Sequence, residues 1–423
     1  MKFSKRKICT AVVFAFSALG ASAAMAQATL VGGGSSLVAP SIGLEITQFG
    51  GGLSYASVGS GAGQKAFLNN DATQFGLAST VTVHFANSDA ALSLTQVDTT
   101  GSYVRTATDG KLIQLPYIVT PITVPYVAQP SSVTGTVSLN DNDLCGIYSG
   151  KITNWNQIIN PTTSSVYTTV STPIQVVYRL DGSGTTDLLT RHLAAVCTTG
   201  TGGNSNVTFN ETQTFASNFT TVPANFIGAT GSGGVAAQLV AYRNVTPTAT
   251  AAFGYLSPDY TNTTLAPSSP NATNALTVAS LRNSHTNADV APTYQNATIA
   301  LGSVAAPSGA AAEANPFNWV PGANISKTDP SWIAISNPTA GYPISGTSNI
   351  IVSQCYKTAL LRARLINFLT AHYGSTTYAA ILHNNGFDTV PTSYQTAINS
   401  DILGNTNGYN LNIGNSVCGT LGR

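Results

Sequence analysis

The residues best suited to bind an anion lie in the stretch RLDGSGTT, residues 179–186. Arg179 offers a planar guanidinium that can donate two parallel hydrogen bonds to an oxyanion. Ser183 and Thr185 add hydroxyl donors a few positions further on. A Gly-Ser-Gly turn is in most proteins nothing more than a turn, so this stretch alone leaves both an anion site and a simple turn open.

The elements on either side of this stretch would bring backbone donors to the same place. Residues 174–178 are apolar and β-branched, which predicts a strand. Leu188, Leu189 and Leu193 recur at helical spacing, which predicts a helix directly after the turn. The first N–H groups of a helix have no intrahelical partner and lie at the positive end of the helix dipole. A strand, a short turn and a helix in this order therefore form a candidate anion-binding unit.

Two further units of the same kind precede it in the chain. The first extends from residue 30 to about residue 49, with a Gly- and Ser-rich turn at 32–36. The second covers 53–69, with the turn GSGAG at 59–63. Helix N-termini that converge would form a cradle for one dehydrated oxyanion. The spacing matches neither a Walker loop nor the full dinucleotide fingerprint, which excludes the common nucleotide-binding loops.

A carboxylate follows the short apolar segment 83–86. Asp89 stands just before a predicted helix start, and the local sequence favours a role as the N-cap of that helix. The alternative places Asp89 inside the anion site. There a carboxylate accepts the hydrogen bond of a monoprotonated oxyanion and repels an anion that has no proton to give, such as sulfate.

The N-terminus has the three parts of a signal peptide. A basic segment precedes an apolar run from Ile8 to Gly20, which is too short to span a bilayer, and the small-residue site AMA follows at 24–26. Residues 1–26 are therefore predicted to be a cleaved signal peptide, and the protein to be exported. Cys9 precedes the apolar run, which argues against a lipid anchor.

The charge balance limits the class of partner. Removal of the signal peptide takes away four of the 17 Lys and Arg residues and leaves 16 Asp and Glu, so the mature net charge is −3. Such a chain lacks the broad basic surface that nucleic acid or an anionic membrane needs. Any bound anion must then be held by a few well-placed donors.

Four cysteines remain after cleavage: Cys145, Cys197, Cys355 and Cys418. An even number of cysteines in an exported protein predicts disulfides, and three pairings are possible. Neither the cysteines nor the five histidines show a metal-binding spacing, so no metal or other cofactor is predicted. No motif ties a histidine to a serine, which counts against a serine hydrolase.

Seven segments of the chain, taken in order, resemble the periplasmic phosphate-binding protein of the high-affinity phosphate ABC transporter. They are GGGSSLVAP, YASVGSGAGQKAF, HFANSDAALS, GIYSGKITNWNQI, VVYRLDGSGTT, GSGGVAAQLV with AFGYL, and YPISGTSNIIV. The resemblance implies an α/β fold of the type II periplasmic-binding-protein class. It has two lobes, each a mixed sheet flanked by helices, and the ligand lies in the interlobe cleft. The first lobe would comprise residues 27–115 and 343–423, and the second lobe residues 116–342.

The resemblance also assigns ligand contacts by matched position. Asp89 would accept the ligand's proton, Arg179 would bind both the ligand and a carboxylate, and Asp181 would orient Arg179. The implied phosphate-binding residues are Ser36, Leu37 through its backbone, Ser60, Asp89, Arg179, Ser183, Gly184 and Thr185. The family usually has an aromatic residue at position 37 and proline at position 38, and a backbone contact tolerates both changes. The loops at 198–222 and 260–340 are longer than is usual in the family.

The two-lobed layout also favours one disulfide pairing. Cys145 and Cys197 both fall in the second lobe, whereas Cys355 and Cys418 both fall in the first. We expect these two pairs, because a bridge between the lobes would obstruct hinge closure.

The implied function is capture of inorganic phosphate for uptake through an ABC permease in the inner membrane. The resemblance implies a monomeric periplasmic or secreted protein that is not an enzyme. Two alternatives stay open. One is a secreted phosphatase-like relative, with Ser183 or Ser60 as the nucleophile. The other is a secreted surface or adhesive protein that uses the same fold without transport.

Overall fold

The computed structural model describes residues 29–245 and 250–423, so the predicted signal peptide at 1–26 lies outside the described residues. The β-strands of these ranges are β1 (Leu30–Gly34), β2 (Leu53–Ser57), β3 (Phe85–Ser88), β4 (Leu112–Pro121), β5 (Pro125–Val127), β6 (Ser138–Leu139), β7 (Ile159–Asn160), β8 (Ser165–Val166), β9 (Ile174–Arg179), β10 (Phe226–Ala229), β11 (Ala251–Phe253), β12 (Thr277–Val278), β13 (Ser280–Asn283), β14 (Ala288–Val290) and β15 (Ser345–Ser353). The α-helices are α1 (Ala39–Phe49), α2 (Ser60–Asn69), α3 (Thr106–Asp109), α4 (Asp141–Tyr148), α5 (Gly184–Val196), α6 (Gly231–Arg243), α7 (Tyr294–Leu301), α8 (Ala310–Glu313), α9 (Pro330–Ser336), α10 (Ala359–Gly374), α11 (Thr376–His383) and α12 (Thr392–Ala397). Shorter helical turns lie at Ala72–Phe75, Trp155–Gln157, Phe215–Asn218, Pro258–Tyr260, Ala272–Asn274, Ile398–Leu403 and Ser416–Cys418. Within the described ranges, no helix combines the length and apolarity needed to cross a membrane.

The first of the two large sheets has the strand order β2-β1-β3-β15-β4. Strand β1 is parallel to β2 and β3, whereas β15 is antiparallel to both β3 and β4. Helices α1 and α2 each follow a parallel strand and pack back on this sheet. Every residue of β3, β4 and β15 is buried, because helices cover these strands.

The second large sheet has the order β10-β9-β11-β5-β12. Strand β9 is parallel to β10 and β11, and β5 is antiparallel to β11 and β12. Helix α6 packs on this sheet, and Trp155 is fully buried against the rings of Tyr126 and Phe253. The two mixed sheets flanked by helices confirm the predicted α/β fold class.

The chain crosses from the first sheet to the second over residues 122–124. Strand β4 pairs with β15 as far as Pro121, which lies opposite Ser345, and β5 begins in the second sheet. The lobe boundary predicted after residue 115 therefore falls inside a strand, because the pairing with β15 continues beyond it. Helix α7 also packs on β4 and β15, although its sequence lies in the range 116–342.

The glycine run at 32–34 is part of strand β1 and not the predicted turn. A Cβ on Gly32 would lie 2.3 Å from Cζ of Phe85, so the glycine makes room for this ring. Helix α2 uses the same strand: a Cβ on Gly63 would lie 2.5 Å from Cα of Gly34. The glycines of this region therefore serve the close packing of a helix and a ring on a strand.

Two disulfides join the four cysteines of the described residues. Cys145 in α4 is bonded to Cys197 at the end of α5, and Cys355 after β15 is bonded to Cys418. The predicted pairing is confirmed. The bonded cysteines are 52 and 63 residues apart in sequence. Closing loops of this size restricts the unfolded chain and typically contributes about 2–4 kcal/mol for each bridge.

Helix α1 is fixed to the core by a buried polar network. The fully buried Glu45 carboxylate accepts a hydrogen bond from Tyr117 Oη and lies 2.8 Å from Nδ1 of His372. Nε2 of His372 lies 2.8 Å from the carbonyl oxygen of Tyr117. One ring nitrogen of His372 therefore faces an oxygen atom of α1, and the other faces an oxygen atom of β4. The network ties α1 to β4 and α10.

Replacing Gly63 by alanine should destabilise the protein by about 1–3 kcal/mol, because the new methyl group would overlap the backbone of β1. Gly43 in α1 is the matched control. It is exposed, a Cβ there meets no atom within 4 Å, and alanine should stabilise the helix by up to about 1 kcal/mol. Urea unfolding of Gly63→Ala and Gly43→Ala measures both values. Equal effects of the two substitutions would contradict the close packing of α2 on β1.

Candidate anion-binding site

Arg179 ends strand β9 and is buried, with 2% of its surface exposed. Its Nε donates to Oδ1 of Asp181 at 2.8 Å, and its Nη2 donates to Oδ2 of the same carboxylate. Its backbone N–H donates to Tyr255 Oη at 2.9 Å. Burial alone would raise the pKa of Asp181, but the hydrogen bonds and charge of Arg179 outweigh it and hold this pKa below its usual range. The site is thus built around an ion pair in which the Arg179 side chain is buried and the Asp181 side chain is 15% exposed.

Helix α5 begins directly beside this ion pair, as the sequence predicts. Ser183 is the N-cap, and its Oγ accepts the N–H of Thr186 at 3.3 Å. Gly184 and Thr185 follow in the first turn, where N–H groups have no intrahelical acceptor. Thr185 Oγ1 donates to Oδ2 of Asp89 at 3.4 Å. A Cβ on Gly184 would lie 2.5 Å from Cβ of Asp89, so the N-terminus of α5 touches the segment that follows β3.

Helix α2 brings its N-terminus to the same place from the first sheet. Ser60 opens the helix, and its Oγ accepts the N–H of Asp89 at 3.2 Å. The N–H of Gly61 donates to the carbonyl oxygen of Gly182 at 2.9 Å. Gly59, just before the helix, has a φ of +91°, and a Cβ there would lie 2.4 Å from the carboxylate of the ion pair. This position therefore needs glycine for both its backbone conformation and its lack of a side chain.

The segment before α1 completes the cluster. Ser36 and Leu37 are both buried there, and the N–H of Leu37 donates to Ser35 Oγ at 3.1 Å. Tyr55 Oη donates to the carbonyl oxygen of Ser35 at 2.8 Å. The structure thus brings all eight predicted site residues into one buried cluster, at the N-termini of α1, α2 and α5. Their contacts with a ligand stay a prediction.

Asp89 does not cap a helix, so the interpretation that the local sequence favours is wrong. No helix of the described residues begins between β3 and α3. Oδ2 accepts from Thr185, and Oδ1 has no hydrogen-bond partner in the described part of the chain. Burial raises the pKa of Asp89 by more than the hydroxyls of Ser35 and Ser348 and the charge of Arg179 lower it. The side chain therefore presents an open acceptor inside the cluster.

A fourth helix N-terminus at the site was not assigned from the sequence. Helix α6 begins at Gly231, and Ser232 in its first turn lies within hydrogen-bond distance of Ser36 and Arg179. The segment GSGG at 231–234 shows the same turn-before-helix pattern as the other three units. That pattern was the signal that could have identified Ser232.

A second buried carboxyl near the site was also missed. Asp259, in the turn after β11, is fully buried, and neither of its carboxylate oxygens has a hydrogen-bond partner within 29–245 or 250–423. Burial raises its pKa well above the usual range, and the charge of the nearby Asp89 adds to this. No sequence pattern distinguishes this residue from a surface turn aspartate.

Replacing Asp181 by asparagine should destabilise the protein by about 3 kcal/mol, because it leaves the guanidinium of Arg179 buried without a counter-ion. Asp289→Asn is the control, because Asp289 pairs with Arg282 in a partly exposed ion pair. This substitution should lower the free energy of unfolding by no more than about 1 kcal/mol. The stabilisation by Asp181 is present above the pKa of this carboxyl in the unfolded chain. It is lost as the pH falls through the lower pKa of the folded state.

Guanidinium unfolding of both variants at neutral and at acid pH measures these differences. The difference in free energy of unfolding between Asp181→Asn and the wild type should become smaller at acid pH. Equal losses in the two variants at neutral pH would contradict the buried ion pair as the organising contact of the site.

Comparison with known proteins identifies the family of this chain. A family model described as the PBP superfamily domain matches residues 20–301. Alkaline phosphatase L of Pseudomonas aeruginosa is 36% identical over 372 residues, which are 88% of this chain and 87% of that protein. A phosphate-binding protein from an unknown prokaryotic organism is 36% identical over 374 residues, which are 87% of this chain and 93% of that protein.

Solved structures agree with this result. A high-affinity periplasmic phosphate-binding protein with bound phosphate matches with a TM-score of 0.75 at 35% identity, over 93% of this chain and 99% of that chain. A phosphate-binding protein from Stenotrophomonas maltophilia matches with a TM-score of 0.69 at 33% identity, also over 93% and 99%. The family match, these relatives and the shared fold show that the chain belongs to the PBP superfamily, as its sequence segments predict.

Proposed function

We propose that this protein captures inorganic phosphate, as the monoprotonated anion, in the cluster at the N-termini of α1, α2 and α5. The observation that carries the proposal is a pair of buried groups: the guanidinium of Arg179 and the open Oδ1 of Asp89. The guanidinium attracts an anion, whereas the carboxylate tolerates an anion only if it brings a proton for Oδ1. Monoprotonated phosphate meets both conditions, and sulfate lacks the proton.

The donors of the cluster are numerous enough to replace the hydration shell of phosphate. They include the hydroxyls of Ser36 and Ser60 and the N–H groups of three helix N-termini, among them those of Gly184 and Thr185 in the first turn of α5. Each charge-assisted hydrogen bond contributes about 1.5–3 kcal/mol, and micromolar binding needs about 8 kcal/mol. A handful of such bonds therefore suffices once the cost of association is met.

We assign the two sheets to the two predicted lobes, 27–115 with 343–423 and 116–342, with the chain crossing after β4 as part of the hinge. Segments of the two lobes are in direct contact at the site, where the N–H of Gly61 donates to the carbonyl oxygen of Gly182. This contact is what a closed form requires. Opening at the hinge would break it and release the anion.

The phosphatase alternative is favoured only by a name, since three relatives from Pseudomonas aeruginosa are called alkaline phosphatase L. The hydroxyl oxygens of Ser60 and Ser183 each accept a backbone N–H. Four of the five histidines make hydrogen bonds to groups outside the cluster; they are His84, His192, His372 and His383. Among the described residues, neither serine hydroxyl is hydrogen-bonded to a histidine that could activate it, and we propose a binding protein rather than an enzyme.

We further propose that the protein acts outside the inner membrane, in the periplasm or as a secreted protein. It would be a monomer that delivers phosphate to an ABC permease. The predicted signal peptide and the two disulfides support an exported protein. The relatives support a place in the periplasm, because they include a high-affinity periplasmic phosphate-binding protein.

Calorimetric titration of the phosphate-stripped mature protein should show phosphate binding with a micromolar or lower dissociation constant and much weaker binding of sulfate. Arg179→Ala should weaken phosphate binding at least about 30-fold, because it removes the buried charge that attracts the anion. Arg282→Ala removes an arginine from a partly exposed ion pair and should bind phosphate like the wild type.

The same preparations test the alternative. We expect no phosphate release from an aryl phosphate. Release that stops in Ser183→Ala would favour the phosphatase, and a folded wild-type protein that gives no heat with phosphate would overturn the proposed function.

Replacing Asp89 by asparagine should make the unliganded protein more stable and less selective. The raised pKa means that the folded protein holds this proton more tightly than the unfolded chain, so stability falls as the pH rises through the interval between the two pKa values. An amide does not titrate and should gain stability at neutral pH. Its NH₂ group donates where the carboxylate accepted, so the preference for phosphate over sulfate should fall.

Thermal unfolding across the acid-to-neutral range and calorimetry with both anions measure these two effects. Asp289→Asn removes a carboxyl with a lowered pKa and should show the opposite sign in stability. An Asp89→Asn variant that still rejects sulfate as strongly as the wild type would show that Asp89 does not accept the ligand's proton.

A further inference from the structure

We propose that Ser232, in the first turn of α6, is a positioning residue of the phosphate site. It fixes the hydroxyl of Ser36 as a donor to the bound anion and helps to hold the closed form together. This inference rests on the phosphate binding proposed above, and it adds a fourth helix to the three that the sequence assigns to the site.

Ser232 is completely buried at the point where the two sheets meet. Its Oγ lies 2.8 Å from Ser36 Oγ and 3.3 Å from Nη1 of Arg179. Its backbone N–H donates to Ser36 Oγ at 3.1 Å. Ser36 lies between β1 and α1, which belong to the first sheet and its cover, whereas α6 packs on the second sheet. One serine therefore bonds to a residue from each side of the site.

Two of these three hydrogen bonds have a direction that the groups themselves fix, namely those donated by Arg179 Nη1 and by the N–H of Ser232. A guanidinium can only donate, so Ser232 Oγ accepts from Arg179. Either hydroxyl of the Ser36–Ser232 pair can donate to the other. In the proposed arrangement the hydroxyl of Ser232 donates to Ser36 Oγ, which also accepts the N–H of Ser232. With both acceptor positions of Ser36 Oγ in use, its own proton points away from Ser232 and is available to an anion. The chain from Arg179 through Ser232 thus makes Ser36 a donor, and each bond polarises the next.

The first turn of α6 also forms a hydrogen bond to Asp181, the carboxylate that pairs with Arg179. The N–H of Gly231 donates at 2.9 Å to Oδ1 of Asp181, the same oxygen that accepts Nε of Arg179. Helix α6 therefore contacts both members of the buried ion pair as well as Ser36. A displacement of α6 would shift the guanidinium and the Ser36 donor together.

This geometry predicts a kinetic signature. Because Ser36 and Ser232 come from elements of different sheets, their bond exists only while the two sides of the site are close. Loss of the Ser232 hydroxyl should weaken the closed form, and it should leave the first encounter of phosphate with the open form unchanged. The effect should therefore lie in the dissociation rate, as is usual for variants of one binding site.

Stopped-flow measurement of phosphate binding and release by the mature protein tests this inference. Ser232→Ala should release phosphate about 5- to 30-fold faster, with an association rate within about twofold of the wild type. Ser232→Gly also removes the hydroxyl and should likewise release phosphate faster than the wild type. Ser41→Ala is the matched control: Ser41 is buried in the first turn of α1, its Oγ donates to the carbonyl oxygen of Val38, and its loss should leave the release rate unchanged.

A double variant separates positioning from simple packing. If Ser232 acts through Ser36, the combined Ser36→Ala and Ser232→Ala variant should release phosphate more slowly than the product of the two single effects implies. Wild-type release rates in both Ser232 variants, or single effects that multiply in full, would overturn this inference and leave phosphate binding intact. A wild-type protein that is folded and does not bind phosphate would overturn the proposed function instead, and this inference with it. Thermal unfolding without phosphate checks that each variant is folded.

Discussion

The buried guanidinium of Arg179 is the constraint on which the rest of the site depends. A buried arginine costs several kcal/mol unless its charge is neutralised and its N–H groups find acceptors. Asp181 neutralises the charge, Ser232 accepts from Nη1, and Tyr255 accepts the backbone N–H of the arginine. These partners come from the turn after β9, from α6 and from the segment after β11. The side chain and the backbone N–H of this one arginine therefore fix the positions of three segments of the second sheet and the helix that packs on it.

Helix dipoles, which carry no net charge, add to the attraction that the guanidinium of Arg179 exerts on an anion. If the predicted signal peptide is removed, the net charge is −3, so bulk positive charge is not expected to hold an anion. Helix N-termini offer N–H groups that carry partial positive charge, and they need no side-chain ordering when a ligand arrives. Inside a buried cluster these dipoles act through a low dielectric and are far stronger than in water. In the proposed function the acceptor at Asp89 decides which anion is tolerated, because attraction alone would not distinguish phosphate from sulfate.

Local patterns predicted the features that local forces determine. The strand and helix around the 179–186 turn were predicted correctly, because an apolar β-branched run and a leucine repeat with a serine cap need no distant partner. Sequence patterns did not predict the structure or the role of a residue where these depend on another residue far along the chain. The glycines at 32–34 lie in a strand, and the space beside each of them is occupied by residues further along the chain, such as the ring of Phe85 at Gly32. Ser232 shows its role only beside Ser36, which is 196 residues away.

Glycine at the site matters more for close contact between backbone segments than for the conformation of a turn. Gly184 begins α5 without a positive φ, and a Cβ there would overlap Asp89. Gly61 and Gly182 meet in the same way, since a Cβ on Gly61 would lie 3.2 Å from Cα of Gly182. An anion exchanges its hydration shell for protein donors only where water is excluded. Two chain segments exclude water best when their backbones are in direct contact. The glycine-rich turns are therefore the surfaces on which the two sheets meet, and their missing side chains are a condition for a dehydrated anion site.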